Sequence, residues 1–514
     1  MAVRRCDSGF RKYVVPAFLI GAAAVCAVPA PSATPPVLQA PAAPPPASAP
    51  TPTPPVVQPA PRAIPRLTSA QRAQLEAMLA GMGAQGLPQP PTAPPVAGQA
   101  PASGQAAADA ELVAASLDYA RAVHSGRLDD SDFLKDWGLR PAPYDPWPSF
   151  QTAVEQDRLP AWIASLPPLF VGYDGLRKGL ATYRAIRKAG GWPSFPSGPD
   201  LTVGSHGERV IALRKRLAIE DSALSTKSDT FDNDLLEAVR RAQRRYGLNP
   251  SGIVSAQTVA ALNVPVGARI NQIMANMERW RWLPRDLAKD RVQVNIAAAV
   301  LTLFDGDRPV ASMRAVTGRP GDETPMLQSQ IHSIVINPPW NVPSSIATRE
   351  LWPKERAKPG YLKRNGFKVI SLADGGSRLQ QAAGPQSALG RLKFDFDNAF
   401  SVYLHDTPTR ATFDRYSRLA SHGCVRLEKP LDLANLLLKG DPAWPDGAVQ
   451  AAIDKGDTRR VQLQKPVTVY LLYWTAFANP DGQISFRADP YGWDTILASR
   501  IEAHGRSTTA TAAR

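Results

Sequence analysis

The 514 residues exceed one domain and fit about two to four. Apolar content is ordinary for a globular protein, but the 51 prolines are about twice the usual share, which points to segments without a core. The net charge of +14 suits an anionic partner; its basic residues are scattered rather than clustered, so nucleic acid is not the partner expected.

The N-terminus reads as an export signal. Arg4, Arg5, Arg11 and Lys12 form a basic stretch, Val14–Val28 is apolar with Pro16 inside it, and small residues follow, with cleavage expected after Ala30 or Ala33. The apolar run is shorter than the ~20 residues of a spanning helix; an uncleaved anchor is the alternative. Loss of residues 1–30 leaves a charge of +11 and removes Cys6 and Cys26, so the exported chain keeps one thiol, Cys424. Alone in an oxidising compartment, that thiol is either buried and inert or reactive.

Residues 31–106 read as a Pro/Ala-rich linker with one short helix, Thr68–Met82, whose Leu75, Met78 and Leu79 share a face. A helical scaffold is expected over 107–198, with helices at Leu112–Val123, Phe150–Glu155 and Leu176–Ala189. Residues 199–266 read as a three-helix module. Val210, Leu213 and Leu217 mark its first helix, Leu236, Val239 and Gln243 its second, and Ser255–Leu262 its third. A Trp- and Arg-rich helix, Arg269–Leu283, falls in the connecting segment 267–290.

From Arg291 the hydrophobic period becomes that of strands. Val292–Phe304 is expected as one strand, returning through Pro309–Gly318 after the turn at Asp305. Further strands are expected at His332–Asn337, Leu392–Phe396 and Ser401–Leu404, a helix at Pro430–Leu438, and a late hairpin from Val467–Ala476 and Gln483–Arg487. The fold class is thus multidomain α+β: helical scaffold and three-helix module, then a mainly β domain over 291–498 with an insertion at 345–383, then a disordered tail over 499–514.

The stretch Tyr403–Arg426 (YLHDTPTRATFDRYSRLASHGCVR) holds Cys424 and two of the six histidines, His405 and His422. A thiol needs help to ionise near neutral pH, and an imidazole can supply it. His405 follows the strand Ser401–Leu404, which can hold its ring across from Cys424. The backbone N–H groups of Gly423 and Cys424 are candidate oxyanion donors, and Arg426 is a candidate ligand for a substrate carboxylate. Other readings stay open at this level: zinc held by His405, His422, Cys424 and Asp406; His422 and Asp406 as turn formers; Trp340 and Tyr403 as core.

His405, a spacer of fifteen residues and SHGCVR (Ser421–Arg426) resemble the signature of the L,D-transpeptidases, cysteine enzymes of peptidoglycan. NPPWNVP, GPQSALGRLKFDF, YLHDTP and YLLYWTAFANPDG resemble the catalytic domain of the large periplasmic members. RAIRKAGGWPSFPSG resembles their scaffold, and the module over 199–266 resembles the peptidoglycan-binding domain, so the likeness runs from about residue 107 to 498.

The resemblance implies Cys424 as nucleophile and His405 as catalytic histidine. It implies Ser421, His422, Gly423 and Arg426 as the oxyanion- and substrate-binding motif, Tyr403, Trp340 and Asn341 near the pocket, and 345–383 as a lid. It implies thiolate attack on the third, diaminopimelic residue of a tetrapeptide stem, release of D-Ala, and transfer to an amine in a 3→3 cross-link, in the periplasm, with carbapenems acylating the same cysteine. Peptidoglycan stems are then donor and acceptor, other cell-wall enzymes are partners, and membrane contact comes only through an uncleaved signal. No metal or nucleotide motif is seen, and no cofactor is expected. There are two departures: Asp406 follows the first histidine where the commoner form has Gly, and Ser387 stands where the family usually has Asn. The acceptor is open among stem amine, water, free D-amino acid and protein lysine. The alternative from another class is a non-catalytic wall-binding protein.

Overall fold

The computed structural model describes residues 64–88, 104–373, 375–479 and 481–512. The expected signal and most of the linker, with Cys6 and Cys26, lie outside these residues.

Helix α1 (Ser69–Ala80) begins with a reciprocal cap: Thr68 Oγ1 accepts from Gln71 N at 3.2 Å, and the Gln71 side chain accepts from Thr68 N at 3.0 Å. Its Leu75 and Met78 pack with Val113 of α2 (Gln105–Ser125), Phe150 of α3 (Trp147–Glu155) and Leu159 of α4 (Leu159–Ser165). The helix expected inside a linker is therefore part of the helical core. Helix α5 (Val171–Lys188) leaves that core and carries Gly175 and Gly179 on one face. A Cβ at Gly175 would stand 2.3 Å from Ala478 Cβ, and one at Gly179 2.3 Å from Ile484 Cγ1, so the helix backbone lies directly on the late hairpin.

The three-helix module is built from α6 (Glu208–Ala218), α7 (Asn233–Arg245) and α8 (Ala256–Leu262). Val210, Leu213, Leu217, Leu235, Val239 and Leu262 fill it; Leu235 takes the buried place expected for Leu236, which is only partly covered. Gln243 is buried and ties the α7–α8 loop, donating to Ile253 O at 2.9 Å and accepting from Gly252 N at 2.8 Å.

Helix α9 (Val266–Arg281) is buried along most of its length and brings charged groups with it. Glu278 accepts from Arg281 Nη1 at 2.7 Å and from Arg127 N at 2.6 Å in the helical region. Arg269 donates to Ala261 O at 3.1 Å in the three-helix module. Asn276 donates to Thr475 Oγ1 at 2.7 Å, and Arg279 lies 2.5 Å from Asp494, both in the β region.

Strands β1 (Asp290–Asn295), β2 (Val300–Asp305), β3 (Arg308–Gly318), β4 (Leu327–Ile336), β8 (Leu392–Phe396), β9 (Leu404–His405), β10 (Leu419–Ser421), β11 (Val425–Leu427) and β12 (Arg459–Leu472) form one sheet, in the order β10-β3-β11-β9-β8-β4-β12-β1-β2. A further β2–β3 pairing turns the sheet back on itself. Val292–Phe304, expected as one strand, is instead the hairpin β1–β2. Its turn is apolar in sequence and uses a left-handed Ala299 (φ 50°), with Ile296 O accepting from Thr317 Oγ1 at 3.1 Å. The late hairpin is β13 (Ala476–Ala478) with β14 (Ile484–Phe486), while Val467–Leu472 belongs to the long β12.

The insertion has secondary structure of its own. Strands β5 (Trp340–Asn341), β6 (Phe367–Ser371) and β7 (Ser377–Gln381) form a small sheet, with α10 (Ser344–Ile346), α11 (Trp352–Ala357) and α12 (Tyr361–Arg364) beside it. Val342, Ile346, Leu351, Leu362 and Leu379 give it a core of its own. Helices α13 (Pro430–Leu437) and α14 (Ala448–Lys455) pack on the large core. Helix α15 (Trp493–Ala512) runs through the expected tail, because Trp493, Leu497 and Ile501 continue one apolar stripe. Among the described residues no helix is long and apolar enough to cross a membrane.

Glu278→Ala removes the acid facing Arg281, whose side chain is 1% exposed. The expected loss is about 3–5 kcal/mol, since an uncompensated buried cation remains. Urea unfolding of the full chain checks it; a change below about 1 kcal/mol would mean that α9 does not depend on this pair.

Candidate active site

Strand β9 sits between β8 and β11. It pairs parallel with β11, placing Leu404 opposite Val425 and His405 opposite Arg426. It pairs antiparallel with β8, placing Lys393 opposite His405. Side chains alternate along strands, so Leu404, Val425 and Phe394 enter the core and are fully buried, while Tyr403, His405, Cys424, Arg426 and Lys393 share the other face.

Cys424 is a free, half-buried thiol. Its sulfur meets the Tyr403 hydroxyl and backbone N–H, and the same hydroxyl meets the Trp340 side chain. Lys393 Nζ lies 4.3 Å from the Tyr403 ring centroid. Burial pushes the Cys424 thiol up; hydrogen bonds from Tyr403 and the charges of Lys393 and Arg426 offset this only in part.

His405 is buried, 5.6 Å from the Tyr403 ring in an edge-on arrangement. Its Nδ1 lies 2.5 Å from Asp406 O. A carbonyl only accepts, so Nδ1 carries the proton at this contact, and the ring also meets the Leu389 backbone. Burial, then the facing Arg426, lower the His405 pKa to about 3. The resting pair is therefore thiol and neutral imidazole, not an ion pair.

The turn before Cys424 is stapled from within. Ser421 Oγ donates to Cys424 O at 2.5 Å and accepts from Gly423 N at 3.2 Å. Gly423 N–H is thus occupied and not free as an oxyanion donor, contrary to expectation. The Cys424 N–H has no acceptor among the described residues. Thr324 supports the turn from beneath: its hydroxyl donates to Gly423 O at 2.7 Å and accepts from Gly318 N at 2.8 Å.

His422 is engaged by the insertion, with Nε2 2.6 Å from Glu350 Oε1. Burial raises the Glu350 carboxyl, but the hydrogen bond to His422 and the nearby cations outweigh it and hold the group below the usual range. Arg349 pairs with Asp322 at 3.0 Å and Arg319 with Glu350 at 3.4 Å, so the insertion is fastened to the loop after β3. Trp340 reaches Tyr403, whereas Asn341 is exposed and accepts from Gln380 at 2.8 Å, so it is not gathered with the thiol. Arg426 Nε is buried without a hydrogen-bond partner, and burial lowers its pKa.

Asp406 explains one departure in the motif. Its Oδ2 accepts from Arg391 N at 2.8 Å, and a Cβ at Gly390 would stand 2.3 Å from that oxygen. The carboxylate ties the turn holding Ser387 to the strand holding His405. With the two histidine rings engaged by Asp406 O and Glu350, the zinc set is not assembled; among the described residues the metal-ligating groups that converge are Asp129, Asp132 and His504. Sequence reasoning missed Lys393, Thr324 and Glu350. The alternation of LKFDF could have placed Lys393 on the reactive face; nothing local marks Glu350.

Alkylation of Cys424 by iodoacetamide should rise about tenfold per pH unit from pH 7 upward, without an early plateau, because a raised thiol pKa leaves little thiolate at neutrality. A plateau below pH 7 would show an ion pair instead. Gly423 has φ 107°, and an added Cβ would meet Glu323 O at 3.2 Å. Gly423→Ala should strain the turn by about 1–3 kcal/mol and slow acylation of Cys424 while circular dichroism stays unchanged.

Residues 289–444 match the L,D-transpeptidase catalytic domain, residues 65–180 a scaffold domain, and residues 206–262 the family described as "Putative peptidoglycan binding domain". A Haemophilus influenzae protein named "Putative L,D-transpeptidase" is 32% identical over 260 residues, 46% of this chain and 52% of that protein, so the match spans about half of that relative. Among solved structures, an L,D-transpeptidase from Stackebrandtia nassauensis is 13% identical, with 55% of this chain and 96% of that one covered and a TM-score of 0.22. One from Xylanimonas cellulosilytica is 16% identical, with 54% and 99% covered and a TM-score of 0.17; scores this low carry no argument. The three family matches identify the catalytic region: residues 289–444 belong to the L,D-transpeptidase catalytic-domain family, joined in one chain to a scaffold domain and a peptidoglycan-binding domain.

Proposed function

We propose that the chain is a peptidoglycan L,D-transpeptidase working outside the cytoplasm, with Cys424 as nucleophile and His405 as general base and acid. The observation that carries this is the parallel β9–β11 pairing, with both side chains on one face and the His405 tautomer set by Asp406 O.

In the first half-reaction, His405 Nε2 takes the thiol proton as sulfur attacks the carbonyl of the third, diaminopimelic residue of a tetrapeptide stem. The neutral resting pair makes proton transfer concerted with attack rather than prior to it. The Cys424 N–H is the free backbone donor for the developing oxyanion. Collapse breaks the bond to D-Ala; the leaving amine takes the proton from His405, and a thioester remains. In the second half-reaction, an amine of a neighbouring stem attacks the thioester, His405 accepts its proton, and the thiol is restored with a 3→3 link formed. Arg426, without an acid partner, draws the stem carboxylates to this face, while Lys393 is paired with Asp395 at 2.6 Å. The Tyr403 hydroxyl, held by Trp340, steadies the sulfur.

Intact-mass analysis after incubation with a disaccharide-tetrapeptide should show an adduct on Cys424 equal to the donor less D-Ala, and a carbapenem should label the same residue. Cys424→Ala should abolish both, and His405→Ala should slow acylation by about 10²–10⁴. An unmodified thiol that still binds the muropeptide would replace this reading with that of a wall-binding protein.

A further inference from the structure

A second concave site lies away from the thiol. A groove of about 940 Å³ runs between the C-terminal end of α7 in the peptidoglycan-binding domain and the segment 413–419 of the catalytic region, with the late hairpin as its floor. Its volume is in the range of ligand sites. Seven arginines line it against two acids, Asp414 and Asp481.

Three of those arginines have carboxylate partners: Arg241 with Asp221 at 2.7 Å, Arg314 with Glu428 at 2.6 Å, and Arg245 with Glu220 at 3.8 Å. Arg244, Arg415, Arg418 and Arg487 have none among the described residues. Arg418 is spent on structure, donating to Ala315 O at 3.2 Å and Ala298 O at 3.0 Å. Arg244 and Arg415 are exposed from opposite walls, with Tyr416, 49% exposed, next to Arg415. Arg487 is also held by the fold, donating to Phe486 O at 2.6 Å; chiefly burial lowers its pKa, with Tyr416 opposing and Arg418 adding to the shift. Crowded cations in a concave site are unfavourable until an anion is bound, and a guanidinium fork matches a carboxylate.

We propose that this groove binds an acidic peptide stem of the wall polymer, separate from the stem that reacts at Cys424. This rests on the function proposed above. The wall at Arg415–Arg418 runs directly into β10 and Ser421, so a strand seated in the groove lies beside the segment that joins His405 to Cys424. The wall-binding domain and the catalytic region would then hold one polymer jointly.

The test uses the full chain in a Cys424→Ala background, titrated with a disaccharide-tetrapeptide and with the same compound after its carboxyl groups are amidated. The double variant Arg244→Glu, Arg415→Glu should bind the acidic compound about tenfold more weakly, with a smaller salt dependence. In protein retaining Cys424, the same double variant should acylate with soluble donor at an unchanged single-turnover rate but cross-link intact sacculi about tenfold more slowly. The ligand arm is read against the double variant: amidation should cost the parent protein about tenfold more affinity than the double variant, because carboxylates met at the thiol face are lost equally in both. Equal affinity across both proteins and both ligands overturns the proposal, as does glutamate binding as tightly as the muropeptide, which would assign the groove to free small carboxylates. If the unmodified chain forms no thioester yet shows arginine-dependent binding, the groove stands and the transpeptidase reading falls; the converse result sinks only the groove.

Discussion

The described molecule hangs on the buried polar contacts of α9. Charged groups as deep as Glu278, Arg279 and Arg281 are tolerated only when paired: Glu278 and Arg281 pair within α9, while Arg279 pairs with Asp494 of the β region. Glu278 reaches the helical region through Arg127 N, Arg269 reaches the three-helix module, and Asn276 and Arg279 reach the β region. Apolar packing alone is not directional; hydrogen-bonded buried charges fix one arrangement of the parts. The close seating of α5 on the late hairpin, which admits no side chain at Gly175 or Gly179, adds a steric constraint to the same arrangement.

Within the catalytic region the decisive constraint is smaller. Two residues of β9 pair in parallel with two of β11, and that register sets which side chains share a face. A shift of one residue would send His405 into the core and bring Leu404 out. The neighbours hold the register: Asp406 binds the turn before β8, Thr324 binds the turn before Cys424, and Ser421 closes that turn on itself. The resulting site is dry enough to keep both the thiol and the imidazole neutral at rest. In the function proposed above, reactivity comes from geometry and from donors that act on the developing charge, rather than from a preformed thiolate.

The insertion is coupled to this site through its own polar contacts. Glu350 engages His422, and Arg349 engages Asp322, while Trp340 at the start of the insertion touches Tyr403 beside the sulfur. An apolar cluster of its own lets the insertion keep its shape independently of the main core. His422, read from the sequence as part of the substrate motif, is the residue through which the insertion is fastened to the reactive turn.

Much was legible in the sequence because local physics dictated it. The apolar stripes gave α1, α2, α5 and α7 their positions, the alternation of LKFDF gave β8, and Cys424 with His405, separated from the start of its motif by fifteen residues, marked the candidate site. Other features had no local signal. The turn at Ile296–Ala299 is apolar and has only Asn295, whose side chain accepts from Ala298 N at 3.3 Å, to mark it, so one expected strand became a hairpin. The loss of Gly423 N–H to Ser421, the seating of Glu350 on His422 and the exposure of Asn341 depend on partners distant in sequence or on which face a two-residue strand presents. The sequence by itself determined most of the helices and strands, the fold class and the candidate nucleophile and base, because periodicity and residue chemistry act over a few residues. The tertiary structure alone decided which N–H groups remain free, which arginines lack acids and which tautomer His405 adopts, because those outcomes depend on which partners the fold brings within about 3 Å of each other.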